Sequence, residues 1–188
     1  MTDTDRADVL QVLDNAVSLL AGAMSPDLIP EAGGNIGYAR KGARDSDDVA
    51  AVGGGIRKEG GRIQPGSPVA FGADEDLARI VLTAMKFDPL IRSAAVIRYD
   101  PGTVRICKDL FFEICQFDRG QEPPGIRTME WGVASCCRGG IPDVIYDRGA
   151  VGKEALIRFL GENPLAVANN IIKVSNHVGK LAKKCQKR

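Results

Sequence analysis

Long hydrophobic runs and an excess of one charge are both missing from this sequence of 188 residues. No stretch reaches the roughly 20 apolar residues of a membrane-spanning helix, and acids stand near the start where a signal peptide carries basic residues. We therefore expect a cytoplasmic protein that makes no membrane contact. Lysine and arginine number 25 and the acids 24, so the net charge is +1. That balance disfavours nucleic acid as a partner of the chain by itself.

The sequence has little histidine and lacks paired cysteine motifs. The five cysteines include no C-x-x-C pair, and His177 is the only histidine. A structural zinc site needs four such ligands at suitable spacing, so it is disfavoured. Free thiols are the favoured interpretation of the cysteines, and disulfides are the alternative. A nucleophilic Cys–His pair is disfavoured as well, because His177 lies in a lysine-rich segment near the chain end.

Aromatic residues make up only 5% of the chain, so the core must rest on Val, Ile, Leu and Ala. The length fits a single domain over residues 1–188. Helical spacing alternates with short apolar runs, which predicts a three-layer α/β/α domain with a mixed central sheet. Short strands, including a hairpin around 57–59, are predicted over 26–68. The other predicted strands are 93–99, 111–117 and 143–146, and the predicted helices are 5–23, 74–87, 101–110, 129–137, 152–160 and 164–184.

Two nucleotide-binding motifs are incomplete. The glycine run at residues 53–58 lacks the third glycine of the dinucleotide-binding fingerprint, and no helix is predicted after it. The segment at 147–154 contains a Gly-Lys pair, but Asp147 and Glu154 replace the first glycine and the hydroxyl residue of a P-loop. Neither motif is therefore assigned.

The segment 146–154 is nevertheless a candidate site, because it runs from a predicted strand through a glycine loop into a predicted helix. Open α/β sheets bind ligands at such strand ends, and helix N-termini favour phosphate. We expect Asp147 to ligate Mg²⁺ or to orient an arginine. The alternative is an ordinary turn with a local ion pair. The residues expected to bind phosphate are Arg148, Gly149, Gly152 and Lys153.

A second Asp-Arg pair, Asp118 and Arg119, follows the preceding predicted strand. Parallel neighbouring strands would bring both pairs to one edge, where Asp118 is a second candidate Mg²⁺ ligand and Arg119 binds an anion. Glu130 and Trp131 begin the next predicted helix. Trp131 would stack on a heteroaromatic ring or, alternatively, pack in the core. Arg98, which ends a strand, is a further candidate ligand contact, with a solvated surface charge as the alternative.

Eight ordered segments carry a family resemblance, and they span nearly the whole chain. They are 48–52 (DVAAV), 71–73 with 78–79 (FGA, AR), 87–89 (FDP), 91–94 (IRSA), 97–99 (IRY), 117–119 (FDR), 128–132 (TMEWG) and 142–149 with 151–154 (PDVIYDRG, VGKE). These segments resemble the archaeal-type thiamine-phosphate synthase domain, the ThiN family. So many matches in order are far more specific than any single motif.

The resemblance implies a reaction that joins hydroxymethylpyrimidine diphosphate to thiazole phosphate and releases diphosphate with the help of Mg²⁺. A small phosphorylated molecule is the implied partner. In the family the domain is commonly fused behind a pyrimidine kinase, or behind a DNA-binding domain that makes it a sensor of thiamine phosphate. Neither fusion is found in these residues, so we expect a stand-alone domain.

Three positions depart from the family pattern. Gly55 stands where the pattern has the arginine of a Pro-Gly-Arg-Ile turn, and Val96 replaces an asparagine. The basic Ser-Arg-His turn is replaced by the acids of residues 74–76, so Asp76 takes the histidine position. Acids beside a diphosphate are unfavourable, and each lost transition-state donor costs about 100-fold to 1000-fold in rate. The alternative is that Arg57 takes over from the missing arginine and that the acids bind Mg²⁺.

These departures favour a degenerate member that binds thiamine phosphate or a related phosphorylated molecule, with synthase activity weakened or lost. An active stand-alone synthase and a non-catalytic regulatory subunit are the two alternatives. Assembly as a homodimer is a further expectation. The basic segment 180–188 is expected to be a solvated tail, with a partner contact as the alternative.

Overall fold

The structure is a computed structural model that describes the backbone of residues 3–123 and 128–185 and the side chains of 5–123 and 130–179. The predicted basic segment 180–188 lies outside the described side chains. In the described part, five α-helices surround a seven-stranded sheet and a separate two-stranded hairpin. The helices are α1 (Asp3–Ala23), α2 (Glu75–Phe87), α3 (Pro101–Asp109), α4 (Thr128–Cys137) and α5 (Pro164–Cys185).

The strands are β1 (Asn35–Ala39), β2 (Val49–Val52), β3 (Ile56–Glu59), β4 (Arg62–Pro65), β5 (Val69–Phe71), β6 (Ser93–Arg98), β7 (Ile114–Gln116), β8 (Val144–Tyr146) and β9 (Leu156–Gly161). Their order in the large sheet is β5-β2-β1-β6-β9-β8-β7, and β3 and β4 form the hairpin. Among the described strands, only β7 and β8 pair in parallel. The sheet is therefore mixed, as predicted.

Helices cover both faces of the sheet, which confirms the three-layer architecture. α1, α3 and α5 pack together on one face, and α2 and α4 pack on the other. The first layer buries Leu13, Phe159 and Ile171, while the second buries Ile80 and Ile145. Aliphatic side chains dominate both clusters, as the scarcity of aromatic residues predicted.

One edge of the sheet gathers most of the loops that concern function. The antiparallel pairings place the carboxyl ends of β2, β6, β7 and β8 there, together with the amino ends of β1, β5 and β9. The hairpin joins the same edge through a bridge between Gly34 and Ile56. We call this edge the site edge.

The predicted helix over 152–160 is wrong, because these residues belong to a loop and to β9. β9 lies between β6 and β8, so both of its sides are hydrogen-bonded. Pairing in the sheet interior outweighs the helical appearance of the local sequence. The strand predicted over 111–117 is also shorter than expected: Phe111 is exposed and has a φ of 62°, and pairing begins at Ile114.

The cysteines divide into two classes. Cys115 of β7 and Cys136 of α4 form a disulfide, so the expectation of free thiols is wrong for this pair. The two cysteines are 21 residues apart in sequence, so no local pattern predicts the contact that forms when α4 packs beside β7. Cys107 and Cys137 are free and buried, as expected for thiols. Among the described residues, no helix combines the length and apolarity that crossing a membrane requires.

Candidate functional site

The two Asp-Arg pairs lie side by side at the site edge. β7 and β8 run in parallel, with Gln116 opposite Tyr146, and each strand leads directly into its pair. Parallel neighbouring strands were expected from the sequence to bring both pairs to one edge, and the parallel pairing of these strands is confirmed. Asp118 and Arg119 follow β7, and Asp147 follows β8.

Asp147 is the centre of a buried ion cluster. Its carboxylate lies 2.8 Å from Arg119 Nε and accepts a hydrogen bond from Arg158 Nη1 at 2.7 Å. Asp147 and Arg158 are fully buried, and Arg119 is nearly so. Burial lowers the pKa of Arg158, while the charge of Asp147 opposes that shift. The cluster is therefore a structural anchor that ties β8, β9 and the segment after β7 together.

Arg158 was missed from the sequence because its segment was predicted to be helical. A signal was nevertheless present. It is the single charge within the apolar run Leu-Ile-Arg-Phe-Leu at residues 156–160. A buried charge in such a strand requires a partner of opposite sign, and the Asp-Arg pair at the end of the neighbouring strand supplies it.

The glycine loop after β8 turns back into the sheet as a strand. Asp147 accepts a hydrogen bond from Gly149 N at 2.7 Å, and Gly149 has a φ of 73° with Lys153 O close to where a Cβ would lie. Lys153 Nζ lies 3.3 Å from Glu122, while Arg148 and Gly152 are exposed. No helix N-terminus follows this loop in the described structure, so the physical basis given for phosphate binding there is wrong.

The two candidate magnesium ligands have other partners. Asp147 is shared by two arginines, and Asp118 accepts a hydrogen bond from Gly120 N at 2.8 Å in a short 3₁₀ turn. Within residues 3–123 and 128–185, no group of three or more His, Cys, Asp or Glu side chains could hold a metal ion. Magnesium prefers free carboxylate oxygens and waters, so the residues of this cluster do not fit it. Assistance by Mg²⁺ stays a prediction from the family resemblance.

Glu130 and Trp131 lie on α4, which packs against α2. The Trp131 ring meets Phe117 edge to face with their centroids 6.2 Å apart. Trp131 is half-buried against the core beneath α2 and α4. Glu130 lies 3.9 Å from Arg79 Nε, and Arg79 also pairs with Glu75 and Asp76. Both predicted residues therefore contact side chains of the α2 and α4 layer, and their roles in ligand binding stay predictions.

Arg98, the last residue of β6, lines a cavity of about 400 Å³ at the site edge. We call it the cationic cavity, because three basic side chains line it. Arg57 and Lys58 come from β3, and Lys58 Nζ pairs with Asp27 at 2.6 Å. The remaining lining residues are Ile29, Pro30, Glu31, Gly33 and Glu59.

A second cavity of about 280 Å³ adjoins the first and shares Gly33 with it. We call it the acidic cavity, because Asp74 and Asp76 line it. Gly55 and Val96 are also in its wall. Every position at which the sequence departs from the family pattern, apart from Glu75, therefore lies around one cavity, although these positions are distant in sequence.

Asn35 connects the acidic cavity to the sheet. It is the first residue of β1, and its Nδ2 donates to Val52 O at 3.1 Å and to Asp74 Oδ2 at 2.8 Å. Its Oδ1 accepts hydrogen bonds from Ile36 N and Val52 N. Asp74 in turn caps α2 by accepting from Leu77 N at 2.9 Å. Sequence reasoning did not identify Asn35, and the two glycines before it were the only local signal.

Most of the predicted ligand contacts lie outside these two cavities. Arg98 is the one member of the predicted set among their described lining residues. The others surround the ion cluster, the loop after β8 and α4: Asp118, Arg119, Glu130, Trp131, Asp147, Arg148, Gly149, Gly152 and Lys153. The structure thus brings the predicted residues to the same edge of the sheet but into separate groups.

Comparison with known proteins gives consistent matches. A family model described as thiamine-phosphate synthase ThiN matches residues 12–173. The bifunctional thiamine biosynthesis protein ThiDN of Methanocaldococcus jannaschii is 42% identical over 90% of this chain, which spans only 41% of that protein's length. Thiamine-phosphate synthase ThiN of Methanothermobacter thermautotrophicus is 36% identical, over 78% of this chain and 81% of its own. The crystal structure of the C-terminal domain of protein MJ0236 superposes with a TM-score of 0.88 and 40% identity, covering 93% of this chain and 97% of that one.

Proposed function

Because this chain belongs to the thiamine-phosphate synthase ThiN family, we propose that its two cavities bind thiamine phosphate or a closely related phosphorylated molecule, with synthase activity weakened or lost. The observation that carries this proposal is the meeting of Gly55, Asp76 and Val96 at one cavity. Each replaces a polar or basic residue of the family pattern. A cavity that changes at all of these positions has changed its ligand preference.

The acidic cavity suits a cation better than a diphosphate. Asp74 and Asp76 place carboxylates where the family pattern has a basic turn, and each acid beside an anion costs on the order of 1 kcal/mol even when partly screened. The synthase reaction requires the diphosphate of the pyrimidine substrate to bind and leave. The loss of basic donors also removes stabilisation of that leaving group. Weak turnover follows from both effects.

Thiamine phosphate has the charges that the two cavities complement. Its thiazolium ring is a cation, and the hydroxyethyl group on that ring carries a phosphate monoester. The acidic cavity would receive the thiazolium ring, and the cationic cavity with Arg57 and Arg98 would receive the phosphate. Gly33 lines both cavities, so a single ligand could extend from one into the other.

Calorimetric titration and a turnover assay together test the proposal. We expect thiamine phosphate to bind more tightly than unphosphorylated thiamine, and we expect little product from both precursors and Mg²⁺. The ThiN protein of M. thermautotrophicus, assayed in parallel, is the matched positive control. Absence of thiamine phosphate binding by the folded protein would contradict the proposal.

An active synthase is the second candidate. It is favoured by 36% identity to a relative named as thiamine-phosphate synthase, over most of both chains. Product formation at a rate comparable to that of the M. thermautotrophicus control would support this candidate. Arg57, which lies two positions after Gly55 and lines the neighbouring cavity, would then be the first residue to test as the replacement for the missing arginine.

A further inference from the structure

Two consecutive backbone amides bind a carboxylate from a distant part of the chain. Glu31 N donates to Glu154 Oε1 at 2.9 Å, and Ala32 N donates to Glu154 Oε2 at 3.3 Å. The two residues belong to the turn between the short 3₁₀ helix Pro26–Leu28 and β1. Consecutive N–H groups that converge on one anion are a recurrent way for backbone to bind phosphate. Glu154 occupies this position as an internal anion.

Basic side chains line the cavity on one side of these amides. Glu31 is part of the wall of the cationic cavity, together with Arg57, Lys58 and Arg98. Lys58 pairs with Asp27, whereas neither Arg57 nor Arg98 forms a salt bridge with a described carboxylate. Both guanidinium groups thus line the same cavity as Glu31, and the charge of Arg98 also acts on Asp27. Guanidinium groups bind phosphate oxygens through charge-assisted hydrogen bonds.

Glu154 belongs to the loop between β8 and β9 rather than to either strand. It precedes β9 at the end of the loop that starts at Asp147. The tip of this loop, residues 150–153, is exposed, and its turn is closed by paired hydrogen bonds between Ala150 and Lys153. A carboxylate carries one negative charge, whereas a phosphate monoester carries about 1.5 to 2 at pH 7. Near two arginines the phosphate therefore has the larger electrostatic attraction.

We propose that the amides of Glu31 and Ala32, with Arg57 and Arg98, form a subsite for a phosphate monoester, and that Glu154 is the internal carboxylate that this phosphate displaces. The inference deepens the proposed function, on which it rests for the identity of the rest of the ligand. It assigns the phosphate end of that ligand to specific donors. Glu154 then competes with the phosphate for the same two amides and leaves them when the ligand binds.

Titration of ¹⁵N-labelled protein with inorganic phosphate tests the subsite directly. The amide resonances of Glu31 and Ala32 are expected to shift on titration. In Glu154→Gln the competing charge is absent, so phosphate should bind more tightly; if Glu154 occupies the amides nine-tenths of the time, the gain is about tenfold. Glu162→Gln removes the same charge at the opposite edge of the sheet and is the matched control. It should leave the affinity unchanged.

Arginine variants test the cationic side of the subsite. Arg57→Ala and Arg98→Ala should each weaken phosphate binding by about tenfold, the usual effect of losing one charged hydrogen bond. Arg138→Ala, at an exposed position between α4 and β8, removes a charge elsewhere and should have no effect. Thermal melting of each variant checks that the fold is intact.

The possible results separate this inference from the proposed function. It is overturned if phosphate leaves the Glu31 and Ala32 amides unshifted in both the parent protein and Glu154→Gln. It is also overturned if thiamine phosphate binds but neither Glu154→Gln nor the arginine variants change its affinity, a result that leaves the proposed function intact. Binding of inorganic phosphate without tighter binding of thiamine phosphate would support the subsite and contradict the proposed ligand.

Discussion

Arg158 Nη1 donates a hydrogen bond to Asp147 Oδ2 at 2.7 Å, and neither side chain is exposed to solvent. The pair joins the middle of β9 to the end of β8, and Arg119 adds a second positive charge to the same carboxylate. One carboxylate thus compensates two guanidinium groups in the interior. Its removal would take from both groups the carboxylate that they share in the interior.

Substitution Asp147→Asn is therefore expected to destabilise the fold strongly. Breaking a buried ion pair by removing one partner typically costs about 3 to 5 kcal/mol in the free energy of unfolding. Chemical denaturation followed by circular dichroism measures this loss. Asp109→Asn, at the exposed end of α3, is the matched control and should change the free energy by less than about 0.5 kcal/mol. An equal effect of the two substitutions would contradict the anchoring role.

The disulfide leads to a second prediction. Cys115 and Cys136 are 21 residues apart, and a cross-link that closes a loop of this size contributes about 2 to 4 kcal/mol. A reducing agent should lower the melting temperature of the parent protein. The double variant Cys115→Ser/Cys136→Ser should melt at the lower temperature with or without the reducing agent. A parent protein that melts at the same temperature as the double variant without the reducing agent would contradict the stabilising role of the disulfide.

Buried thiols should resist alkylation in the folded protein. Burial raises the pKa of Cys107 to about 12 and that of Cys137 to about 11. At pH 8 only about one Cys107 side chain in ten thousand is then a reactive thiolate. Peptide mapping after treatment with iodoacetamide should find both residues unmodified in native protein and modified after unfolding. Rapid modification of native Cys107 would contradict its buried position.

The same pKa shifts predict a loss of stability in alkali. A thiol whose pKa is higher in the folded than in the unfolded state binds its proton more tightly when folded. Its contribution to stability is complete below the ordinary pKa of 9.0 and decreases as the pH rises from there towards about 12 for Cys107. Substituting Cys107→Ala should reduce the slope of unfolding free energy against pH in this range. An unchanged slope would assign the alkaline loss to other groups.

The architecture could be predicted from the sequence because hydrophobic spacing is a local signal. α1, α2 and α5 were predicted at nearly their observed bounds, and a hairpin was predicted around residues 57–59, which form most of β3. β9 could not be predicted in the same way, because its pairing with β6 and β8 depends on residues about 60 and 10 positions away. The disulfide was missed for the same reason.

The edge of the sheet that carries the candidate site was predicted from the sequence, but the residues that line its cavities were not. Parallel neighbouring strands were expected to bring both Asp-Arg pairs to one edge, and β7 and β8 are parallel neighbours. The cavities, in contrast, are built from the turn before β1, the hairpin and the start of α2, and no local pattern connects those segments. Only the departures from the family resemblance, at Gly55, Asp76 and Val96, indicated positions that the fold brings together.

Asp76 should determine which charge the acidic cavity accepts. Asp76→Asn removes one carboxylate from the wall of this cavity. We expect it to weaken binding of thiamine phosphate and to strengthen binding of the pyrimidine diphosphate, each by about fivefold, since one screened charge interaction is worth on the order of 1 kcal/mol. Competition titrations with both molecules measure the ratio. Asp109→Asn again serves as the control, and changes of the same sign for both ligands would contradict this role of Asp76.

Restoring the family arginine at Gly55 should fail for a structural reason. Gly55 has a φ of 75°, and a Cβ at this position would lie 3.0 Å from Gly34 O. Gly54 has a similar φ of 71°, but its nearest contact would be Gly66 Cα at 3.9 Å. Substitutions at the two glycines therefore distinguish the cost of backbone strain alone from the added cost of a steric contact in the same turn.

Gly54→Ala is expected to cost about 1 to 2 kcal/mol, the usual penalty for a side chain in the left-handed region. Gly55→Ala should cost more, because Gly34 must also move and Gly34 borders both Asn35 and the acidic cavity. Denaturant unfolding of the two variants gives the difference. If Gly55→Ala costs no more than Gly54→Ala, the turn can adopt another conformation, and an arginine at position 55 could be accommodated. A larger cost would mean that loss of the arginine and the shape of this turn are coupled, so that a single reverse substitution cannot restore the synthase site.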